Sequence, residues 1–267
     1  MSAAEARERS DVSWKAVALP SEHGGWSLTV EPAVLGLVVA WSWPGLALGL
    51  AALVAFIART PLKVVLVDRW RHRHLGRTRL ASRIAAAELA VGAALVVAAF
   101  TTGASRFWVP LVVAAPLIGL ELWYDMRSRS RRFVPELAGT IGIGSVAAAV
   151  ALAGGSSVGL AWGLWAVIAA RSVAAIPYVR TQILRTRAKP SPRWRSDIAQ
   201  IMALLTVGIA WALGLIPLAP VASIAVLAAF NIWAVRAAPR PAVVIGIQQM
   251  IFGIAVVATT AISVLAA

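Results

Sequence analysis

The chain has 267 residues, 60% of them apolar and 13% charged, and a net charge of +14 at pH 7. A soluble domain of this length has too little polar surface to cover so many apolar side chains, so the composition excludes an ordinary water-soluble globule and points to an integral membrane protein. The absence of cysteine excludes disulfides, thiolate metal centres and cysteine nucleophiles. The basic residues sit in short stretches between apolar blocks, as topology signals do, so nucleic acid is not an expected partner.

The first 20 residues, MSAAEARERSDVSWKAVALP, are polar and lack the apolar core of a secretory signal. They belong to an N-terminal arm, residues 1–26, that ends in PSEHGGW. Glu22 and His23 stand at the water end of the first apolar block, followed by Gly24 and Gly25, which are expected to turn the chain tightly into the helix. His23 would then hang over the mouth of a cavity, where an imidazole can act as a general acid or base near neutral pH. The same stretch also reads as a surface arm with a helix cap.

From residue 27 to residue 267 the chain reads as one all-α membrane domain of nine transmembrane helices. The apolar blocks are about 18–23 residues long, the length needed to cross a hydrocarbon core of about 30 Å. The spans are roughly 27–43, 45–67, 84–101, 107–124, 135–153, 157–178, 198–216, 220–235 and 243–265. The connections alternate in charge. DRWRHRHLGRTRLASR after the second span carries six arginines, DMRSRSRRF after the fourth carries four, and VRTQILRTRAKPSPRWRSD after the sixth carries five with a lysine. WSWPG, AGGSSVG and GLIPLAP carry none. The positive-inside rule therefore puts the N-terminus in the cytoplasm and the C-terminus outside. Trp26, Trp41, Trp43, Trp70, Trp108 and Trp123 fall near span ends, as interfacial belts do.

Charged residues inside spans cost several kcal/mol on insertion scales, so each is a candidate for function. They are Glu31, Arg59, Lys63, Glu88, Glu121 and Arg171. Arg59 and Lys63 are one turn apart on one helix face. With Glu121 and Arg171 they lie within about three turns of the inner ends of their spans, which predicts a mostly cationic chamber suited to an anionic ligand. The alternative is a set of interhelical ion pairs that fixes the bundle. His72 and His74, two apart, would not share a helix face, and no histidine lies at the depth of a transmembrane haem. The fifth span, ELAGTIGIGSVAAAVALAGG, is rich in small residues and fits either close helix packing or the wall of a lipid-tail cavity.

Three stretches carry a family resemblance. EHGGW ahead of Pro32, ARTPLK and RRFVPELAGTIGIG, with PYVRTQILR beside them, resemble the YwiC-like family of bacterial membrane proteins. More distantly the chain resembles the UbiA superfamily of intramembrane prenyltransferases, which implies nine helices, a cavity open to the cytoplasm and a prenyl or other anionic lipid substrate in the cell membrane. YDMRSRSRRFVPELAGTIGIG resembles that superfamily's segment between its fourth and fifth helices, and GRTRLAS the segment after its second. Counting back from Arg77-Thr78, the superfamily's Mg²⁺-binding motif falls on Val64, Val65, Asp68 and His72, and IPYVRTQILRTR lacks the second acidic motif. One Asp between Arg69 and Arg71 makes a poor Mg²⁺ site, so no cofactor or metal is expected. An arginine clamp could hold the anion directly.

The candidate catalytic residues are His23, Asp68 and Tyr124, and the candidate substrate-binding residues, chosen chiefly by their depth in the spans, are Glu31, Arg59, Lys63, Arg132, Arg171, Tyr178 and Arg180. All are expected to meet in one pocket open to the cytoplasm. The function implied is transfer or modification of an anionic lipid without the usual metal motifs. A non-catalytic lipid-binding or transport protein is the alternative.

Overall fold

The computed structural model describes residues 23–73, 75–102, 106–129 and 132–267. Nine helices account for nearly all of them: α1 His23–Val39, α2 Trp43–Trp70, α3 Gly76–Thr102, α4 Trp108–Met126, α5 Phe133–Ala153, α6 Val158–Thr186, α7 Trp194–Ala212, α8 Ala219–Ala234 and α9 Ala242–Leu265. The chain is thus a polytopic helical bundle. Six helices (α2 to α6 and α9) are long and apolar enough to cross a membrane, while α8 and the apolar part of α1, Gly25–Val39, are shorter.

Two boundaries differ from expectation for local reasons. The WSWP stretch breaks the chain at residue 40, earlier than expected, because Ser42 caps α2 by accepting a hydrogen bond from Gly45 N at 3.0 Å and Pro44 opens the first turn. At the other end of the bundle, α6 runs on to Thr186 through eight residues expected to be loop. Those residues alternate apolar and polar faces, so hydropathy hides them while helical periodicity does not. Gly24 and Gly25 lie inside α1 instead of forming a turn. A Cβ on Gly25 would sit 2.8 Å from the Phe56 ring. The glycine there admits a close helix contact, which Trp26 extends by packing edge-on against the same ring.

The bundle is built around α5 and α6. α5 packs against α1, α2, α4 and α6, and α6 against α1, α5, α7, α8 and α9. Ala147, Ala148, Ala149, Val150 and Ala151 of α5 are fully buried. Its small residues therefore serve packing, since missing side-chain volume lets backbones approach. A Cβ on Gly142 would overlap Ile118, and one on Gly144 would press on Ile168. Trp165 of α6 donates from Nε1 to the Ile141 carbonyl at 2.8 Å, tying the two central helices together. The contact between α9 and α1 closes the bundle.

Contacts between loops show that the arginine-rich connections share one end. Arg71 donates to Ser128 Oγ at 3.1 Å, joining the α2–α3 and α4–α5 turns. Arg185 donates to the Ala237 carbonyl at 2.8 Å, joining the end of α6 to the α8–α9 connection. Arg236 holds Asp197 bidentately at 2.9 and 3.0 Å. At the opposite end the uncharged turns meet: a Cβ on Gly154 would overlap the Ala40 carbonyl, and one on Gly163 the Leu215 carbonyl.

Candidate functional site

Charged residues at depth gather in two places, one within the N-terminal half of the chain and one where α1 meets the C-terminal helices. The first joins α2 and α4. Arg59 reaches Glu121 at 2.8 Å and Asp125 at 2.8 and 3.2 Å, and Lys63 approaches Asp125 at 3.8 Å. Asp125, expected in a loop, is the last acid of α4 and is completely buried. The i,i+4 spacing of the two bases matches that of the two acids, so the faces mesh one turn apart. Gly139 of α5 makes room for the cluster, since a Cβ there would overlap the Glu121 carboxylate.

The second place is a seam through α1, α6, α7, α8 and α9. Arg171, near the middle of α6, is 1% exposed and Glu31 is 6% exposed. Arg171 Nη2 donates to Glu31 Oε1 at 3.2 Å and to the Gln249 carbonyl at 2.7 Å. Ser27, one turn before Glu31, also hydrogen-bonds its carboxyl. Gln249 Nε2 donates to Asn231 Oδ1 at 3.1 Å. Asn231 Nδ2 donates to Gln200 Oε1 at 3.3 Å and to the Ala174 carbonyl at 3.2 Å. Gln200 Nε2 closes the run on the same carbonyl at 2.9 Å and on the Ser196 carbonyl at 3.2 Å. Gly253 is the floor of the ion pair, because a Cβ there would overlap the Glu31 carboxylate. Pro32, next to Glu31 in the helix, removes the N–H that would bind the Leu28 carbonyl.

The seam is unevenly satisfied. Arg171 Nε and Nη1, Glu31 Oε2, Gln249 Oε1 and Ser196 Oγ are buried with no hydrogen-bond partner among the described residues. Outside a membrane such atoms cost about 1–3 kcal/mol each, and a lipid surround offers no water to relieve them.

The remaining predicted residues fall around these two places. Asp68 is 1% exposed; it accepts from Arg77 at 3.0 and 3.3 Å and from Thr78 Oγ1 at 2.6 Å, which closes the α2–α3 turn. That arrangement does not fit an Mg²⁺ ligand, since a guanidinium already occupies the carboxylate. Arg180 pairs with Glu136 of α5 at 2.8 Å. Tyr178, buried to 1%, accepts from Gln182 Nε2 at 3.4 Å, and Gln182 also binds the Ala234 carbonyl at 2.8 Å. Tyr124 packs edge-on against Trp123. Arg132 precedes α5 and is exposed. Glu88 is half-buried on α3. The side chain of His23, with Glu22 and His74, lies outside the described residues. The structure thus joins Arg59 to Lys63 through Asp125, and Glu31 to Arg171, and gives Asp68, Tyr178 and Arg180 neighbours of their own.

Sequence reading missed Asp125, Gln200, Asn231 and Gln249. The last three carry no charge and barely lower a hydropathy window. Their signal was position, an amide within each of three consecutive apolar blocks.

No curated protein and no solved structure matches this chain. The family model described as YwiC-like protein matches residues 19–151. That stretch carries α1 to α5, with Glu31 and the whole Arg59–Asp125 cluster, and stops before Arg171. Over these residues the chain matches the YwiC-like family.

Proposed function

We propose that this protein is a non-catalytic membrane protein that receives an anionic group at Arg171, through the C-terminal half of the bundle. One observation carries the reading: a run of buried polar residues, joined through side chains and the Gln249 main-chain carbonyl, crosses five helices and ends on a guanidinium with donors unused among the described residues. Interhelical packing does not require such a run, and polar groups at membrane depth mark substrate or ion pathways. A UbiA-like transferase reading finds less support. Its acids at the arginine-rich end would be Asp68 and Asp125, and both are bonded to arginines.

In this reading all nine helices cross the cell membrane, the arginine-rich end faces the cytoplasm by the positive-inside rule, and the C-terminus lies outside. The arginines of that end gather anions, from solution or from lipid headgroups, at the mouth of the seam. Native mass spectrometry of the purified protein tests this. The expected result is an anionic species bound to the wild type and absent from the Glu31→Gln/Arg171→Met double variant, which removes both members of the pair and so leaves no buried charge unpartnered. Identical spectra for the two would overturn the reading.

A further inference from the structure

The imbalance inside the Arg171–Glu31 pair carries a more specific conclusion, which rests on the reading just given. A guanidinium has five N–H donors. Here Nη2 serves both Glu31 and Gln249, while the hydrogens of Nε and Nη1 meet no acceptor among the described residues. Glu31 is no better matched to its cation: beside the Ser27 hydroxyl, Oε1 alone touches the guanidinium, at 3.2 Å, and Oε2 meets no hydrogen-bond partner among the described residues. Charge-assisted N–H···O bonds are ordinarily about 2.7–2.9 Å, and an arginine paired for structure alone is commonly held bidentately. At the other cluster Arg59 does make two bonds to Asp125. The buried pair is therefore the less completely made of the two, at the place where incompleteness costs most.

We propose that Arg171 and Glu31 form a proton-linked oxyanion site, in which a small, singly charged oxyanion takes the Arg171 guanidinium and Glu31 accepts one proton in the same event. Charge balance dictates the coupling. The resting pair is neutral. An added anion would leave a net charge of −1 in a low-dielectric interior, which is costly unless a neighbouring group neutralises. A proton from solvent added to Glu31 Oε2 restores neutrality: the carboxylate becomes a carboxylic acid, no other bond breaks, and Arg171 keeps its charge for the incoming anion. Two acceptors on the helices that flank the pair have no donor among the described residues: the Leu28 carbonyl of α1, which Pro32 leaves without its helical donor, and Gln249 Oε1 of α9.

No second ionisable group competes for this proton among the described residues. α1 packs against α2, α5, α6 and α9. On α2, Arg59 and Lys63 face Asp125, while Asp68 faces Arg77. On α5, Glu136 faces Arg180 of α6, and α6's Arg185 faces Gln182. α9 presents Gly253 and the uncharged Gln249 to the pair.

Nitrate is the probe, because it is planar, singly charged and brings no proton of its own. Titrated by calorimetry into the detergent-solubilised full chain near neutral pH, with a pH indicator in weak buffer, it should bind and draw up close to one proton per protein bound. Affinity should rise about tenfold per pH unit lowered, the slope of one linked proton. Glu31→Gln, which mimics the protonated acid, should bind nitrate with no proton uptake and no pH dependence. The Glu31→Gln/Arg171→Met double variant should bind none. Wild-type binding without proton uptake would overturn this proposal and leave the anion-binding reading standing. No binding by the wild type, or binding retained in the double variant, would overturn both. A Glu31→Gln chain that still takes up the proton would move the coupling elsewhere and defeat the assignment to Glu31.

Discussion

The two polar clusters solve the same problem in opposite ways. In the N-terminal half, two bases and two acids mesh across α2 and α4, and both base side chains keep about a third of their surface exposed. In the seam where α1 meets the C-terminal helices, one base and one acid are shut away from solvent, and the rest of the polarity is amide and hydroxyl. A cluster that reaches water can leave its bonds imperfect at little cost, yet the N-terminal cluster is the one with a bidentate arginine. A sealed cluster needs every bond, yet the C-terminal one leaves atoms unmatched on both members of its pair. The difference teaches that the first is finished as structure, whereas the second keeps buried donors and acceptors unmatched among the described residues.

Arg171→Met should break the comparison most sharply. It strands the Glu31 carboxyl inside the bundle, and removing one partner of a buried pair costs about 3–5 kcal/mol. Unfolding in detergent at neutral pH should show that loss, with most of it recovered in the Glu31→Gln/Arg171→Met double variant. A single variant as stable as wild type would mean that Glu31 is already a neutral carboxylic acid in the resting protein.

Asp125→Asn sharpens the other side. It withdraws the shared acid from Arg59 and Lys63, but those cations reach solvent and Glu121 remains. The expected loss is about 2 kcal/mol, smaller than for a sealed pair. A loss equal to that of Arg171→Met would show that both clusters are equally dry.

Gln200→Leu tests the uncharged end of the seam and should have the smallest effect. Hydrogen bonds between membrane helices are worth about 0.6 kcal/mol on average, so about 1 kcal/mol is expected for the several bonds of Gln200. A loss of several kcal/mol would show that the amide run is a cooperative unit.

Much of the fold was legible because hydropathy length and arginine placement act at the scale of whole helices. The ion pair between Glu31 and Arg171 was legible as two residues that each needed a partner. Their pairing was not, because 140 residues separate them and only packing of α1 against α6 brings them together. The end of α6 was lost where its outer face turned polar. Asp125 was given to a loop because arginines follow it, although its own helix continues to Met126. The expectation of a single pocket rested on depth along each helix, and depth says nothing about which face a side chain occupies. Tyr178 and Arg180 show the difference: two residues apart on α6, they turn to Gln182 and to Glu136 of α5 respectively.

Gly253 has a further consequence. The Glu31 carboxylate lies where that residue's side chain would begin, so any other amino acid there forces the acid off its seat. Position 253 is thus a mechanical key to the ion pair, one that carries no charge and no side-chain hydrogen-bonding group. Alanine at this single site would displace Glu31 and crowd Arg171 Nη2 without altering any ionisable group, and so separates where the pair sits from what it is. In a population of randomised chains selected for whatever Arg171 does, 253 should return as glycine alone, while neighbouring Ile254, 60% exposed on the outer face, should accept most apolar residues.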